Sequence, residues 1–171
     1  MHPLVELARS AVENYAANGT EIAVPFYFPK DLLDKKAGVF VTIEKDKGLR
    51  GCIGTYLSCH KNIAEETIHN AILAAAEDYR FGPIEKDELP RLSFTVYILG
   101  EPELVRGQKE LDHKKYGVIV KSLDKKRVGL LLPDLKGVNT VSDQISIACA
   151  KAEIDLSEQI IIYKFTVEKY Q

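Results

Sequence analysis

Apolar side chains recur at helical spacing in three parts of the chain. Residues 3–17 and 62–79 each place apolar side chains every three or four positions, which predicts two helices with one apolar face each. A third helix is predicted after Thr140, because Thr140 and Asp143 approximate a capping box and the apolar positions that follow again share one face. Cys149 lies on that face, which favours a buried and inert role.

Six other segments have the residue types and the alternation of β-strands. They are 38–44, 49–57, 92–99, 117–120, 128–132 and 160–167. A three-residue loop, 46–48, is predicted to close a hairpin between the first two strands, and residues 20–37, which carry two prolines, to form an irregular connection. The resulting order, α-β-β-α-β-β-β-α-β, predicts an α+β fold with a mainly antiparallel sheet flanked by helices.

Composition narrows the class of protein. A chain of 171 residues with 46% hydrophobic content is long enough for one core of ordinary size, so we expect a single domain, 1–171. The net charge of −2 gives no electrostatic reason for nucleic-acid or membrane binding. The three cysteines form no disulfide framework, and no signal peptide or apolar run of membrane-spanning length is recognised. We therefore expect a cytoplasmic protein.

The segment Leu49–Tyr56 differs most from ordinary structural sequence. On a strand, Arg50, Cys52, Gly54 and Tyr56 project from one face, while the alternate residues face the core. Gly51 and Gly54 flank the cysteine, and glycine within a strand indicates a bulge, a positive φ or a close backbone approach. Their backbone N–H groups are candidates for converging on an anion.

Arg50 is expected to activate the Cys52 thiol. Side chains at i and i+2 lie about 7 Å apart, and a unit charge at that distance lowers a thiol pKa by roughly 0.4 to 1.7, depending on the local dielectric. A single cysteine in a strand is usually a small core residue, and the arginine and two glycines around Cys52 bring the reactive role level with it. The sequence therefore leaves two interpretations of Cys52 open, a reactive thiol and a packing residue.

A second candidate region follows the helix predicted over 62–79. Asp78, Arg80 and Phe81 precede Gly82-Pro83, and the charged pair either ties the end of this helix to a neighbouring loop or borders a cleft beside the hairpin. On the helix itself, Glu65, Glu66 and His69 are predicted to lie on the outer, solvated flank.

These motifs together resemble the AMMECR-type domain family. The resemblance is carried by Gly38–Ile43, Leu49–Thr55, Asp78–Phe81, Glu88-Leu89, Gly129–Pro133, Cys149–Ala152 and Phe165–Glu168. It implies a cytosolic α+β domain with a small second lobe, and an association with Memo-like and radical-SAM proteins, but no known activity. Glu153 stands where this family has glycine.

Other chemistries find little support. There is no dinucleotide, P-loop, zinc-protease or serine-hydrolase motif, so no cofactor is predicted. Cys52, Cys59 and His60 lack a common zinc spacing and would need His69 or His113 as a fourth ligand, so no metal is predicted. The basic cluster 121–127 is predicted to be a solvated hairpin turn, with a phosphate patch as the lesser alternative.

Two functions are consistent with the sequence, and neither a substrate nor an enzymatic activity is fixed by it. In the first, Cys52 is the catalytic thiol of an enzyme-like site that binds a small anionic substrate. In the second, the hairpin belongs to a non-catalytic module that binds a metabolite or a partner protein, with Arg50 as its anchor. The candidate substrate-binding residues are Arg50, Gly51, Gly54, Thr55, Tyr56, Asp78, Arg80 and Phe81.

Overall fold

The chain folds into two compact units. A computed structural model describes residues 1–171, and divides them into a first unit of residues 1–99 and 168–171 and a second of residues 100–167. The second unit is thus inserted in the sequence before the last strand of the first. It corresponds to the small second lobe that the family resemblance implies.

The elements alternate as the sequence predicts, with a few additions. The helices are α1 (Pro3–Asn18), α2 (Lys30–Leu33), α3 (Ile63–Ala76) and α4 (Val141–Lys151), with short 3₁₀ turns at Lys86–Arg91 and Gln108–Glu110. The strands are β1 (Val39–Lys45), β2 (Gly48–Thr55), β3 (Leu92–Leu99), β4 (Glu103–Leu104), β5 (Gly117–Ser122), β6 (Val128–Leu131), β7 (Ile160–Phe165) and β8 (Val167–Tyr170). No helix of the structure is long and apolar enough to cross a bilayer.

The first unit places α1 and α3 on a four-stranded sheet of order β2-β1-β3-β8. Strand β1 pairs antiparallel with both β2 and β3. Val39, Val41 and Ile43 of β1 are completely buried on the core side, whereas Phe40 and Thr42 point to the opposite face and are half-buried. The alternation read from the sequence is therefore confirmed, and β2 is an edge strand.

The second unit packs α4 on a sheet of order β4-β7-β5-β6. Thr140 caps α4 through the predicted capping box with Asp143, and Cys149 is buried in the core as expected. Glu153 has a φ of 55°, in the left-handed region that favours glycine, which explains why glycine suits this position. The α+β prediction with mainly antiparallel sheets is confirmed in both units.

Three predicted boundaries were wrong. The first hairpin is closed by two residues, Asp46 and Lys47, which both have positive φ, so that Lys45 pairs directly with Gly48. Helix α3 ends at Ala76 and not at 79, and Asp78, just beyond the helix, accepts a hydrogen bond from Cys52 on the hairpin. The predicted strand 160–167 ends at Phe165 as β7 of the second sheet, and Val167 already begins β8 of the first.

Candidate functional site

The two glycines of the motif serve close backbone approaches. A Cβ atom added to Gly51 would lie 2.2 Å from the Ala74 carbonyl oxygen of α3, and one added to Gly54 would lie 2.3 Å from the ring of Phe40. Neither glycine has a positive φ. The register with β1 also shifts between Ile43 and Glu44, which leaves Arg50 as the extra residue of a β-bulge.

The backbone of Cys52 is held on both sides by the Asp78–Arg80 pair. The Cys52 N–H donates to Asp78 Oδ2 at 2.9 Å, and Arg80 Nη2 donates to the Cys52 carbonyl oxygen at 3.3 Å. Arg80 also donates to both carboxylate oxygens of Asp78. Because β2 is an edge strand, this ion pair takes the place of a neighbouring strand at Cys52. It therefore ties the segment after α3 to the hairpin at the backbone of Cys52.

Arg50 is committed to a different carboxylate. Its Nε and Nη2 atoms donate to the two oxygens of Glu88 at 2.9 Å each, and the remaining guanidinium hydrogen bonds go to the carbonyl oxygens of Gly82 and Pro83. Lys45 Nζ reaches the same Glu88 carboxylate at 2.8 Å. The Arg50 and Glu88 side chains are only 13% and 10% exposed, so the pair holds the bulge against the 82–88 segment.

Glu66 organises the segment that follows β2, and its predicted place on the outer flank of α3 was wrong. Its side chain is completely buried, because α3 is covered by both the sheet and α1. Thr55 Oγ1 donates to it at 2.7 Å, and the backbone N–H groups of Cys59 and His60 donate at 2.8 and 2.9 Å. The His60 ring lies 4.6 Å from that of His69, between ring centroids.

Three carboxylates, those of Glu88, Asp78 and Glu66, thus accept hydrogen bonds from residues of β2. Hydrogen bonds from Arg50 lower the pKa of Glu88 well below its usual range, and those from Arg80 lower that of Asp78. Burial by itself would raise the pKa of Glu66, but hydrogen bonds from Thr55 and from the 59–60 backbone outweigh it and lower the pKa. All three groups are therefore ionised at neutral pH.

These depressed pKa values predict that acid destabilises the protein. A carboxyl group whose pKa is lower in the folded state stabilises that state fully above its unfolded pKa of about 4, and this stabilisation is lost as the pH falls through the folded value. We expect urea midpoints that are level above about pH 5 and fall steadily below pH 4. A Glu88→Gln variant should show a shallower fall. Equal midpoints at neutral and strongly acidic pH would contradict the assignment.

The three cysteines lie in three different environments. Cys52 is half-buried with its sulfur 3.2 Å from the hydroxyl oxygen of Thr42, Cys59 is exposed, and Cys149 is buried. Burial raises the pKa of the Cys149 thiol. No disulfide is formed, and no group of three or more His, Cys, Asp or Glu side chains is arranged to hold a metal ion.

The Asp78–Arg80 pair that binds the Cys52 backbone belongs to an exposed aromatic and cationic segment. The side chain of Arg80 is 43% exposed, and its guanidinium lies 5.2 Å from the centroid of the Phe81 ring. Tyr79 is 94% exposed. The segment Tyr79–Phe81 therefore presents two aromatic rings and a positive charge outward, while the carboxylate of Asp78 stays buried.

Most of the residues that meet here are candidates predicted from the sequence, but two of the carboxylates are not. Contacts link Arg50, Cys52, Thr55, Asp78 and Arg80 into the networks around the hairpin. Glu66 and Glu88 were not among the candidates. Glu88 had a signal, since it belongs to the matched family motif, whereas the alternation of apolar residues gave no indication that Glu66 is buried.

The fold and the site define a two-unit α+β protein whose β1–β2 hairpin is held by ion pairs with two buried carboxylates, those of Asp78 and Glu88. Comparisons with known proteins support this fold. The AMMECR1 family model matches residues 5–170. An uncharacterised protein of Pyrococcus horikoshii, known from its crystal structure, superposes with a TM-score of 0.83 at 33% identity, over 97% of this chain and 88% of that one.

Relatives from two bacteria are more similar to this chain in sequence than the Pyrococcus horikoshii protein is. A protein of Thermotoga maritima is 48% identical over 172 residues, which is 99% of this chain and 98% of that protein. A protein of Clostridium acetobutylicum is also 48% identical over 170 residues, but this chain spans only 36% of its length. The chain belongs to the AMMECR1 family.

Proposed function

We propose that the hairpin carries an enzyme-like site for a small anionic substrate, with Cys52 as its reactive thiol and Arg80 as the positive charge beside it. One observation carries this proposal: the ion pair of Asp78 and Arg80 holds both backbone polar groups of Cys52. A fixed backbone places the Cβ atom of Cys52 at one position relative to its neighbours, which is part of the preorganisation that a reacting group requires.

The charge of Arg80 supports the proposal. The hydrogen bonds to Asp78 are the main reason that the pKa of Arg80 is raised, and the nearby charge of Cys52 adds to the effect. A positive charge beside a sulfur promotes its reaction as a thiolate. Since the Arg80 side chain is 43% exposed, it is also accessible to an anionic substrate group.

Arg50 takes a different role in this proposal from the one that the sequence suggested. Its donors are directed to Glu88 and to two carbonyl oxygens, so it fixes the bulge next to Cys52 and does not bind the substrate. The backbone N–H of Cys52 likewise donates to Asp78. Substrate contacts are therefore assigned to Arg80 and Phe81, with Gly51, Gly54 and Thr55 shaping the hairpin beneath and Tyr56 at its end.

Alkylation of the three cysteines tests this proposal within one molecule. We expect iodoacetamide at neutral pH to modify Cys52 faster than Cys59, although Cys59 is more exposed, and to leave Cys149 unmodified. Arg80→Gln should slow the modification of Cys52, while Arg91→Gln, which removes an exposed arginine paired with Asp46, should not. Peptide mass spectrometry measures each rate. Slower labelling of Cys52 than of Cys59 at every pH would exclude a reactive thiol.

A non-catalytic binding module is the second candidate, and the exposed Tyr79–Phe81 segment favours it. Tyrosine and arginine are enriched among the residues that dominate protein interfaces, and Tyr79 is almost fully exposed. The partner would be a Memo-like or radical-SAM protein, as the family resemblance implies. Loss of capture in Tyr79→Ala with full capture in Cys52→Ala would favour the module over the enzyme.

A cytoplasmic location, proposed for either function, is supported by the absence of disulfides.

A further inference from the structure

A cavity of about 320 Å³ lies in the first unit, apart from the residues of the hairpin. It is formed between α1 and the irregular segment before α2. Its volume falls at the lower end of the range of small-molecule pockets, about 300 to 1,000 Å³, which suits a compound with a single ring. The lining residues include none of the hairpin or the 78–81 segment.

One stripe of α1 forms a wall of this cavity. Pro3, Glu6, Leu7 and Ser10 follow the i, i+3, i+4, i+7 spacing of a helix face, and all four line the cavity. Leu7 is buried, whereas Glu6 and Ser10 are exposed. A carboxylate and a hydroxyl group therefore flank an apolar side chain along the wall.

The opposite wall is apolar and aromatic. It is built from Ile22, Tyr27 and Phe28 together with two prolines. Phe28 is nearly buried and Tyr27 is 76% exposed, so the aromatic wall runs from the interior to the rim. Aromatic faces and proline rings bind apolar ligand bodies and attract cations.

The charge of the lining selects the ligand. Glu6 is the only lining residue that is charged at neutral pH, and no salt bridge of the structure includes it. The cavity therefore has apolar walls, a negative charge at its edge and no neutralising cation. An anion would be repelled by Glu6, whereas a cation would be attracted by it.

We propose that the cavity binds a small organic cation with one aromatic or aliphatic ring. The ring lies between Leu7 and the Tyr27–Phe28 wall, and the ammonium group pairs with the carboxylate of Glu6. This site is independent of the thiol chemistry proposed for Cys52, because the two share no residue.

Titration with 2-phenylethylamine, followed by amide NMR of the full chain, tests the site. We expect saturable shifts confined to residues that line the cavity, and weaker binding by the anion 3-phenylpropionate. Glu6→Gln should weaken amine binding roughly fivefold, as loss of a solvent-accessible ion pair does. The matched control is Glu13→Gln on the same helix, because Glu13 pairs with Arg9 and does not line the cavity.

A cavity-filling variant distinguishes binding in the cavity from binding elsewhere. Ser10 is exposed, so Ser10→Trp can place a ring in the space without disturbing the core, and it should abolish amine binding while the thermal unfolding curve is retained. Cys52→Ala should bind the amine as the wild type does. The proposal is overturned if no cavity amide shifts, if 3-phenylpropionate binds as tightly as the amine, or if the two glutamine variants bind equally.

Discussion

Replacing Arg50 with alanine is expected to lower the free energy of unfolding by about 3 kcal/mol, because it leaves a nearly buried carboxylate with only part of its partners. Glu88 loses two charge-assisted hydrogen bonds, and the carbonyl oxygens of Gly82 and Pro83 each lose one. Lys45 stays bound to Glu88, so the lost free energy of unfolding should be near the lower end of the range for breaking a buried ion pair. Urea denaturation followed by circular dichroism measures the change.

A double-mutant cycle with Glu88→Ala separates the ion pair from other effects of the truncation. The two single variants should lose similar amounts, and the double variant should lose clearly less than their sum. The control is Arg91→Ala, whose exposed pairing with Asp46 should contribute nothing measurable. An Arg50→Ala protein that keeps full stability but no longer captures a ligand or partner would instead show that Arg50 is the anchor proposed from the sequence.

The sequence predicts the helices and strands correctly wherever one face of the element is buried. Strand β1 alternates completely buried and half-buried residues, and α4 begins at a capping box, so local patterns decided both. The break between β7 and β8 could not be predicted from the sequence. Both pieces have strand composition, and only the order of strands in the two sheets reveals where one ends. The single domain expected over 1–171 stays a prediction.

For the candidate site, the sequence predicts which residue types are present but not how they pair. Arg50, Cys52 and Asp78 stand out in the sequence, but the spacing suggests that Arg50 is the cation of the site. In the structure, Arg50 is hydrogen-bonded to Glu88, and it is Arg80 that donates to the Cys52 carbonyl oxygen. These pairings join residues 38 and 28 positions apart. They depend on how α3 and the 82–88 segment return to the edge of β2, which no local pattern encodes.

Glu66 illustrates the same limit on a helix. Charged residues in an apolar helix are normally assigned to solvent, and this assignment holds when the helix is covered on one face. Helix α3 is covered by the sheet and by α1, so a glutamate in its first turn is enclosed and receives the donors of the segment after β2. A buried carboxylate with this many partners gives a testable difference between two substitutions.

Glu66→Ala is expected to lower the free energy of unfolding by about 3 kcal/mol, since the Thr55 hydroxyl and two backbone N–H groups lose their acceptor at roughly 1 kcal/mol each. Glu66→Gln should lose about 1 kcal/mol, because its carbonyl oxygen can accept the Cys59 and His60 N–H groups while its amide donates to Thr55. Denaturation measures stability, and hydrogen exchange reports the two amides directly.

The alanine variant should accelerate exchange at residues 59 and 60, and the glutamine variant should keep them protected. Glu65→Ala is the matched control, because Glu65 lies in the same turn of α3 and accepts only one long hydrogen bond, from Lys61 at 3.4 Å. Its stability should stay within about 0.5 kcal/mol of the wild type. Equal losses in the alanine and glutamine variants would mean that the negative charge, and not the acceptor geometry, holds this segment against the hairpin.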